Sequence, residues 1–232
     1  MYSKSPLIAT GLLCLALAAC MSMPWKDEPV GQEVNLAFIM QNNLPFLPSL
    51  KVDGRSGKFT FGSANARTVI DPKFARAGMN SVQFNERESV RMTGVNADLH
   101  GVADAIVGAD VFEHHAVTID YRSGLITYQK EGMHPELMSV FAFSEEPMVN
   151  MLIDGQSMSG IVDTASPDTI VLPRGDAKPQ RRAAHVQIAN ADLGMIDVQL
   201  ADVAKPRIGN RVLSKFLVTI DYGKKRVGLF RM

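Results

Sequence analysis

The chain of 232 residues repeats itself once, at a constant spacing. Val117-Thr118-Ile119-Asp120-Tyr121 returns as Val218-Thr219-Ile220-Asp221-Tyr222, 101 positions later. At the same offset Asp53-Gly54 falls on Asp154-Gly155, Ser56 on Ser157, Thr68-Val69-Ile70 on Thr169-Ile170-Val171, Gly108 on Gly209 and Val111 on Val212. Two unrelated strands sharing a β-rich pentapeptide would not carry the distant matches, so the chain reads as one unit written twice. The lobes are expected at 32–134 and 136–232. Glu131-Gly132-Met133-His134-Pro135 contains Gly and Pro and reads as the linker.

Each lobe reads as β-rich. Leu50-Lys51-Val52 and Met151-Leu152-Ile153 lead into the Asp-Gly pairs, a strong hairpin signal. Lys58–Phe61 and Gly160–Val162 follow as return strands. Val117–Tyr121 with Leu125–Tyr128, and Val218–Tyr222 with Val227–Phe230, form a second strand pair in each lobe. Asp110–His114 and Arg211–Lys215 are each expected to make a single helical turn or more. Short strands and regular turns predict an all-β chain, a barrel or sandwich in each lobe, the two related by a pseudo-twofold.

The N-terminus has a different character. Lys4 precedes an apolar run, Leu7–Ala19, that is too short to cross a bilayer comfortably. It ends in Leu17-Ala18-Ala19-Cys20, which resembles the bacterial lipobox. The resemblance implies a lipoprotein signal peptide at 1–19, lipidation of Cys20 and a tether over 20–31. An ordinary signal peptide with an incidental cysteine is the plainer alternative. The two cysteines are Cys14 and Cys20, so removal of the signal leaves neither a disulfide nor a free nucleophilic thiol in the lobes. Met21, where inner-membrane lipoproteins usually carry aspartate, implies by the same resemblance the outer membrane, facing the periplasm.

Acidic and basic residues balance at 24 each, which gives no reason to expect nucleic acid as a partner. The short basic groups Lys178–Arg182 and Lys224–Arg226 read as solvated loops or turns.

The second lobe carries Gly160-Ile161-Val162-Asp163-Thr164-Ala165-Ser166, followed by Thr169-Ile170-Val171-Leu172. An apolar strand running into Asp-Thr-Gly-Ala/Ser, then an apolar run, resembles the active-site loop of the retropepsin-like and pepsin-like aspartic peptidases. Ile106-Val107-Gly108 and Arg207-Ile208-Gly209 resemble that family's second element, two apolar residues and a glycine. The resemblance spans nearly all of the chain after residue 32. It implies two carboxylates, one from each lobe, sharing one proton, so that one acts as base toward a water and the other as acid toward the substrate carbonyl.

The repeat tests that implication. Position 163 falls on Gly62 in the first lobe, Thr164 on Ser63 and Ala165 on Ala64. The frame is kept and one catalytic residue is absent. Asp71 and Asp53 lie opposite Leu172 and Asp154 and are poor substitutes. Both lobes also have alanine where the family has glycine, at a place where the backbone approaches its partner loop closely. Asp163 is therefore the catalytic candidate, with Thr164, Ala165 and Ser166. Its plainer reading is a loop aspartate bonded to nearby amides.

Other chemistries are poorly supported. His114-His115 would point to opposite faces of a strand, no second ligand pair has zinc-like spacing, and a structural role is the expectation. The chain has no serine elbow, phosphate loop or dinucleotide fingerprint, and no cofactor is expected. Val82–Gly101 and Val186–Leu200 stand where the family has flaps over an extended peptide; solvated hairpins are the plainer alternative. Three functions follow. The leading one is a membrane-anchored pseudopeptidase that binds peptide or protein in the cleft between the lobes. The second is an active aspartic endopeptidase with a hidden or dimer-supplied second carboxylate. The third is a structural envelope protein. A monomer is expected, since each Asp163 already faces a first lobe of its own chain.

Overall fold

The computed structural model describes residues 33–130, 132–174 and 180–232. The expected signal segment, Cys20 and the tether lie outside the described residues, as do Glu131 of the linker and Lys178 of the basic run. Twelve strands precede the linker: β1 (Val34–Ala37), β2 (Ile39–Gln41), β3 (Leu44–Phe46), β4 (Lys51–Val52), β5 (Arg55–Ser56), β6 (Phe59–Phe61), β7 (Val69–Ile70), β8 (Gly78–Gln83), β9 (Ser89–Asn96), β10 (Ala105–Val107), β11 (Ala116–Asp120) and β12 (Leu125–Gln129). Nine follow it: β13 (Ser139–Ala142), β14 (Met148–Ile153), β15 (Gln156–Val162), β16 (Ile170–Pro173), β17 (Gln180–Ile188), β18 (Ala191–Ala201), β19 (Arg207–Ile208), β20 (Phe216–Asp221) and β21 (Arg226–Arg231). The helical pieces among them are one 3-10 turn, Ala109–Val111, and one turn of α-helix, α1 (Asn210–Leu213). The chain is all-β, as expected.

Strands β14-β15-β19-β16-β18-β17 close into a barrel. The first half builds a nine-stranded sheet in the order β2-β3-β6-β10-β7-β9-β8-β4-β5. The last hairpin of each half joins a third sheet, β1-β12-β11-β20-β21-β13. In it β11 and β20 run antiparallel, and Thr118 pairs with Thr219, its own repeat partner. Their hydroxyls meet at 2.9 Å. A residue paired with its own counterpart marks the pseudo-twofold axis. The two halves are therefore continuous through backbone hydrogen bonds.

Both Asp-Gly pairs form two-residue hairpins in the left-handed region, with φ of 50° and 72° at Asp53-Gly54 and 50° and 80° at Asp154-Gly155. The first hairpin is short: β4 and β5 have two residues each, and the segment expected as its return strand is β6, which pairs with β3 and β10. In the second half β14 and β15 run on as one long hairpin. The repeat also drifts. Val52 pairs with Val82, whereas Ile153 pairs with Val186, so the flap hairpins are offset by 104. The offset is 101 again at Ile106 and Arg207, because β6–β10 and β15–β19 share one register.

One hydrophobic cluster runs through both halves. In the first it centres on Phe59, Phe61, Phe112 and Tyr128, with Phe61 and Phe112 edge to face at 5.0 Å. In the second, Val162, Ile170, Val186, Val198 and Ile208 are fully buried or nearly so. These aliphatic residues come one each from five of the six barrel strands and fill its interior, as a closed barrel requires.

Candidate functional site

The loops after β6 and β15 meet on the pseudo-twofold axis. The Ser63 N–H donates to Thr164 Oγ1 at 2.9 Å, and the Thr164 N–H donates to Ser63 Oγ at 3.1 Å. Each hydroxyl then donates across the axis, Ser63 Oγ to the Val162 carbonyl and Thr164 Oγ1 to the Phe61 carbonyl. Both residues are about 1 % exposed or less, so these bonds are shielded from water. Serine in place of threonine at 63 keeps the hydroxyl that the bridge needs.

Glycines 108 and 209 hold the loops from below. A Cβ on Gly108 would lie 2.5 Å from the Arg67 carbonyl carbon, and one on Gly209 would lie 2.5 Å from the Asp168 carbonyl oxygen. No side chain fits at that approach. The turns after them add matched bonds: Ala109 N–H to the Asn65 carbonyl at 2.7 Å, and Asn210 N–H to the Ser166 carbonyl at 2.9 Å. Alanine at 64 and 165 is accommodated, because neither residue has a positive φ.

Two tyrosines one repeat apart complete the frame differently. The Tyr222 hydroxyl donates directly to the Ser63 carbonyl at 3.2 Å. The Tyr121 hydroxyl donates to Asn210 Oδ1 at 2.7 Å, and Asn210 Nδ2 donates to the Thr164 carbonyl at 2.8 Å. Burial pushes the Tyr121 phenol far above its ordinary value, and the charge of Asp163 adds to that shift.

Asp163 itself is 4 % exposed. Its Oδ1 accepts the Ala165 N–H at 3.1 Å, and its Oδ2 accepts Nη1 of Arg207 at 2.8 Å. The Arg207 side chain is 43 % exposed and lies against a carboxylate that is only 6 % exposed. Both carboxylate oxygens are thus engaged from within the second half. Arg207 stands at a position where the repeat has Ile106, and the expectation of two apolar residues before the glycine fails there. A guanidinium is a permanent cation with a planar fork of donors, suited to holding one carboxylate.

Across the axis, the position that repeats Asp163 carries no carboxylate. Gly62 occupies the place of Asp163, and its N–H donates to the Val107 carbonyl at 2.9 Å, as Asp163 does to Ile208 at 3.0 Å. A Cβ at Gly62 would lie 2.4 Å from Ile106 Cγ2 and 2.5 Å from Asn65 Oδ1. Ile106 and Asn65 therefore leave no room for a side chain at position 62. Asp71 is held by the Lys73 and Leu99 N–H groups at 2.9 and 3.0 Å, and Asp53 by Ser81 N–H and Asn80 Nδ2. Both carboxylates are thus engaged by groups of the first half, most of them 27 or 28 positions away. His115 is buried with its Nδ1 2.9 Å from the Tyr128 hydroxyl, while His114 is exposed.

The structure brings Thr164 and Ser63, which the repeat aligns, together across the axis beside Asp163, and adds Arg207, Asn210, Asn65 and Tyr121, which the sequence reading did not single out. Arg207 left a signal: a charged residue at a position its repeat partner makes apolar.

No protein-family model matches the sequence, and no curated protein is significantly similar to it. Among solved structures, an aspartic proteinase from Irpex lacteus superposes on 87 % of this chain and 98 % of its own, with a TM-score of 0.59 and 8 % sequence identity. The two glycine-supported loops, joined by reciprocal hydroxyl bridges across a pseudo-twofold, thus sit in an aspartic-peptidase-like fold.

Proposed function

We propose that this chain is a pseudopeptidase, which kept the aspartic-peptidase scaffold to hold a peptide or protein between its halves and does not hydrolyse it. The observation that carries this reading is the fate of the two catalytic positions. One is Gly62, its side-chain space taken by Ile106 and Asn65. The other is Asp163, ion-paired with Arg207 rather than facing a second carboxyl. Dyad chemistry needs two carboxyl groups sharing a proton. A carboxylate held by a guanidinium has no acid partner, and its oxygens are already occupied. In this reading Asp163 positions Arg207 and closes the loop. The lipobox-like Leu17–Cys20 segment supports tethering through lipid on Cys20, and Met21 after it supports the outer membrane as the place.

The test is cleavage of a mixed peptide library from about pH 3 to 7, the range in which a carboxylate dyad titrates. The folded protein is expected to release no products, with Asp163→Asn indistinguishable from it. Cleavage that Asp163→Asn abolishes would overturn the proposal. Gly62→Asp alone is expected to stay inactive, since the new carboxylate meets Ile106 and Asn65 and the old one stays paired with Arg207. Saturable peptide binding weakened by substitutions in the cleft is the positive counterpart; its absence would leave a structural role as the better account.

A further inference from the structure

Strand β13 is the edge of the sheet shared by the two halves, with β21 as its neighbour among the described strands. The Phe143 N–H donates to the Lys225 carbonyl at 3.0 Å. Backbone groups alternate sides along an antiparallel strand, so Ser139, Phe141 and Phe143 turn theirs toward β21. Val140, Ala142 and Ser144 turn theirs outward. Beside this outer edge lies a groove of about 450 Å³, bounded across from β13 by Met148, Asn150 and Ser159 of the barrel. Its rim carries Glu145, Glu146 and Lys205. Lys205 Nζ is 2.6 Å from Glu146, and nearby Glu145 raises the Lys205 pKa further. Two carboxylates against one ammonium leave the rim net negative.

A row of outward N–H and C=O groups is a template for one more strand, and proteins usually cover or charge such an edge. Here a groove of ligand size borders it. We infer that β13 takes an extended segment of another polypeptide as an added strand, with a lysine or arginine of that segment set against Glu145 and Glu146. Main-chain bonds to Val140 and Ala142 supply the attachment, and the acidic rim supplies selectivity. A second copy of this chain fits poorly. A second copy would bring the same net-negative rim of Glu145, Glu146 and Lys205, not the unpaired cation that this rim favours. The site is separate from Asp163 and does not rest on the pseudopeptidase reading.

The test uses the protein purified in detergent from cells expressing the full chain. The probes are fluorescent strand-forming peptides of alternating valine and threonine, carrying either one lysine or a glutamate in its place. A third probe is the lysine peptide N-methylated on alternate amides. The lysine peptide is expected to bind at least about tenfold more tightly than the other two. Glu145→Lys should remove that preference over the glutamate peptide. Val140→Pro, which deletes an outward N–H and leaves the β21 ladder intact, should weaken binding by about tenfold or more. Asp163→Asn should change nothing, which separates this groove from the cleft. Equal binding of the N-methylated probe, an unchanged preference in Glu145→Lys, or no saturable binding would overturn the inference. So would concentration-dependent dimerisation that Val140→Pro abolishes.

Discussion

Arg207 Nη1 lies 2.8 Å from Oδ2 of the nearly buried Asp163. Arg207→Ala removes the cation from a carboxylate that stays nearly buried, and is expected to destabilise the fold by about 2–3 kcal/mol in urea unfolding. The half-exposure of Arg207 holds the effect below that of a fully buried pair. A double-mutant cycle with Asp163→Ala should give a coupling above about 1 kcal/mol; additivity would show that the pair is incidental. Asp71 makes a different residue-scale prediction. Its carboxylate accepts the Lys73 N–H and the Leu99 N–H, which hold its pKa below the ordinary value. A lowered folded pKa contributes stability that is fully present above the unfolded value of about 4 and is lost as pH falls through the folded value. Asp71→Asn should therefore flatten the acid limb of the stability curve below about pH 4. An unchanged acid limb would count against this account.

At the scale of elements, the hydroxyl bridges make unequal demands. Thr164→Val strips an acceptor from the Ser63 N–H and a donor from the Phe61 carbonyl, both deep in the axis. A loss of about 2–4 kcal/mol is expected, because each buried group is left unsatisfied. Among the described residues, the hydroxyls of Thr118 and Thr219 bond to each other. Replacing both by valine keeps shape and leaves no orphan, so the double variant should stay within about 1 kcal/mol of the parent. Denaturant midpoints for the two variants should therefore separate clearly, and similar losses in both would refute the distinction. The glycine supports were legible in sequence as a repeated Gly108 and Gly209. Their reason, a carbonyl group 2.5 Å from any added Cβ, was not.

At the scale of the molecule, β11 and β20 tie the halves into one sheet, and one hydrophobic cluster crosses between them. Unfolding should be a single cooperative event. Far-ultraviolet circular dichroism and exchange of the β16 and β7 amides should report one midpoint, whereas two separated midpoints would mean that the halves melt independently.

The sequence by itself determined the doubling, the all-β class, the Asp-Gly hairpins and the vacancy of a carboxylate at Gly62. These are properties of local pattern: strand periodicity, turn chemistry and one offset read along the chain. Tertiary structure alone decided the rest. It paired Arg207 with Asp163 across 44 positions, filled the space at Gly62 with Asn65 and Ile106, and joined the two final hairpins into one sheet with β13 last among the described strands. Such partners are set by how strands stack and cross, and spacing along the chain carries no record of which side chains the crossing brings within hydrogen-bond reach.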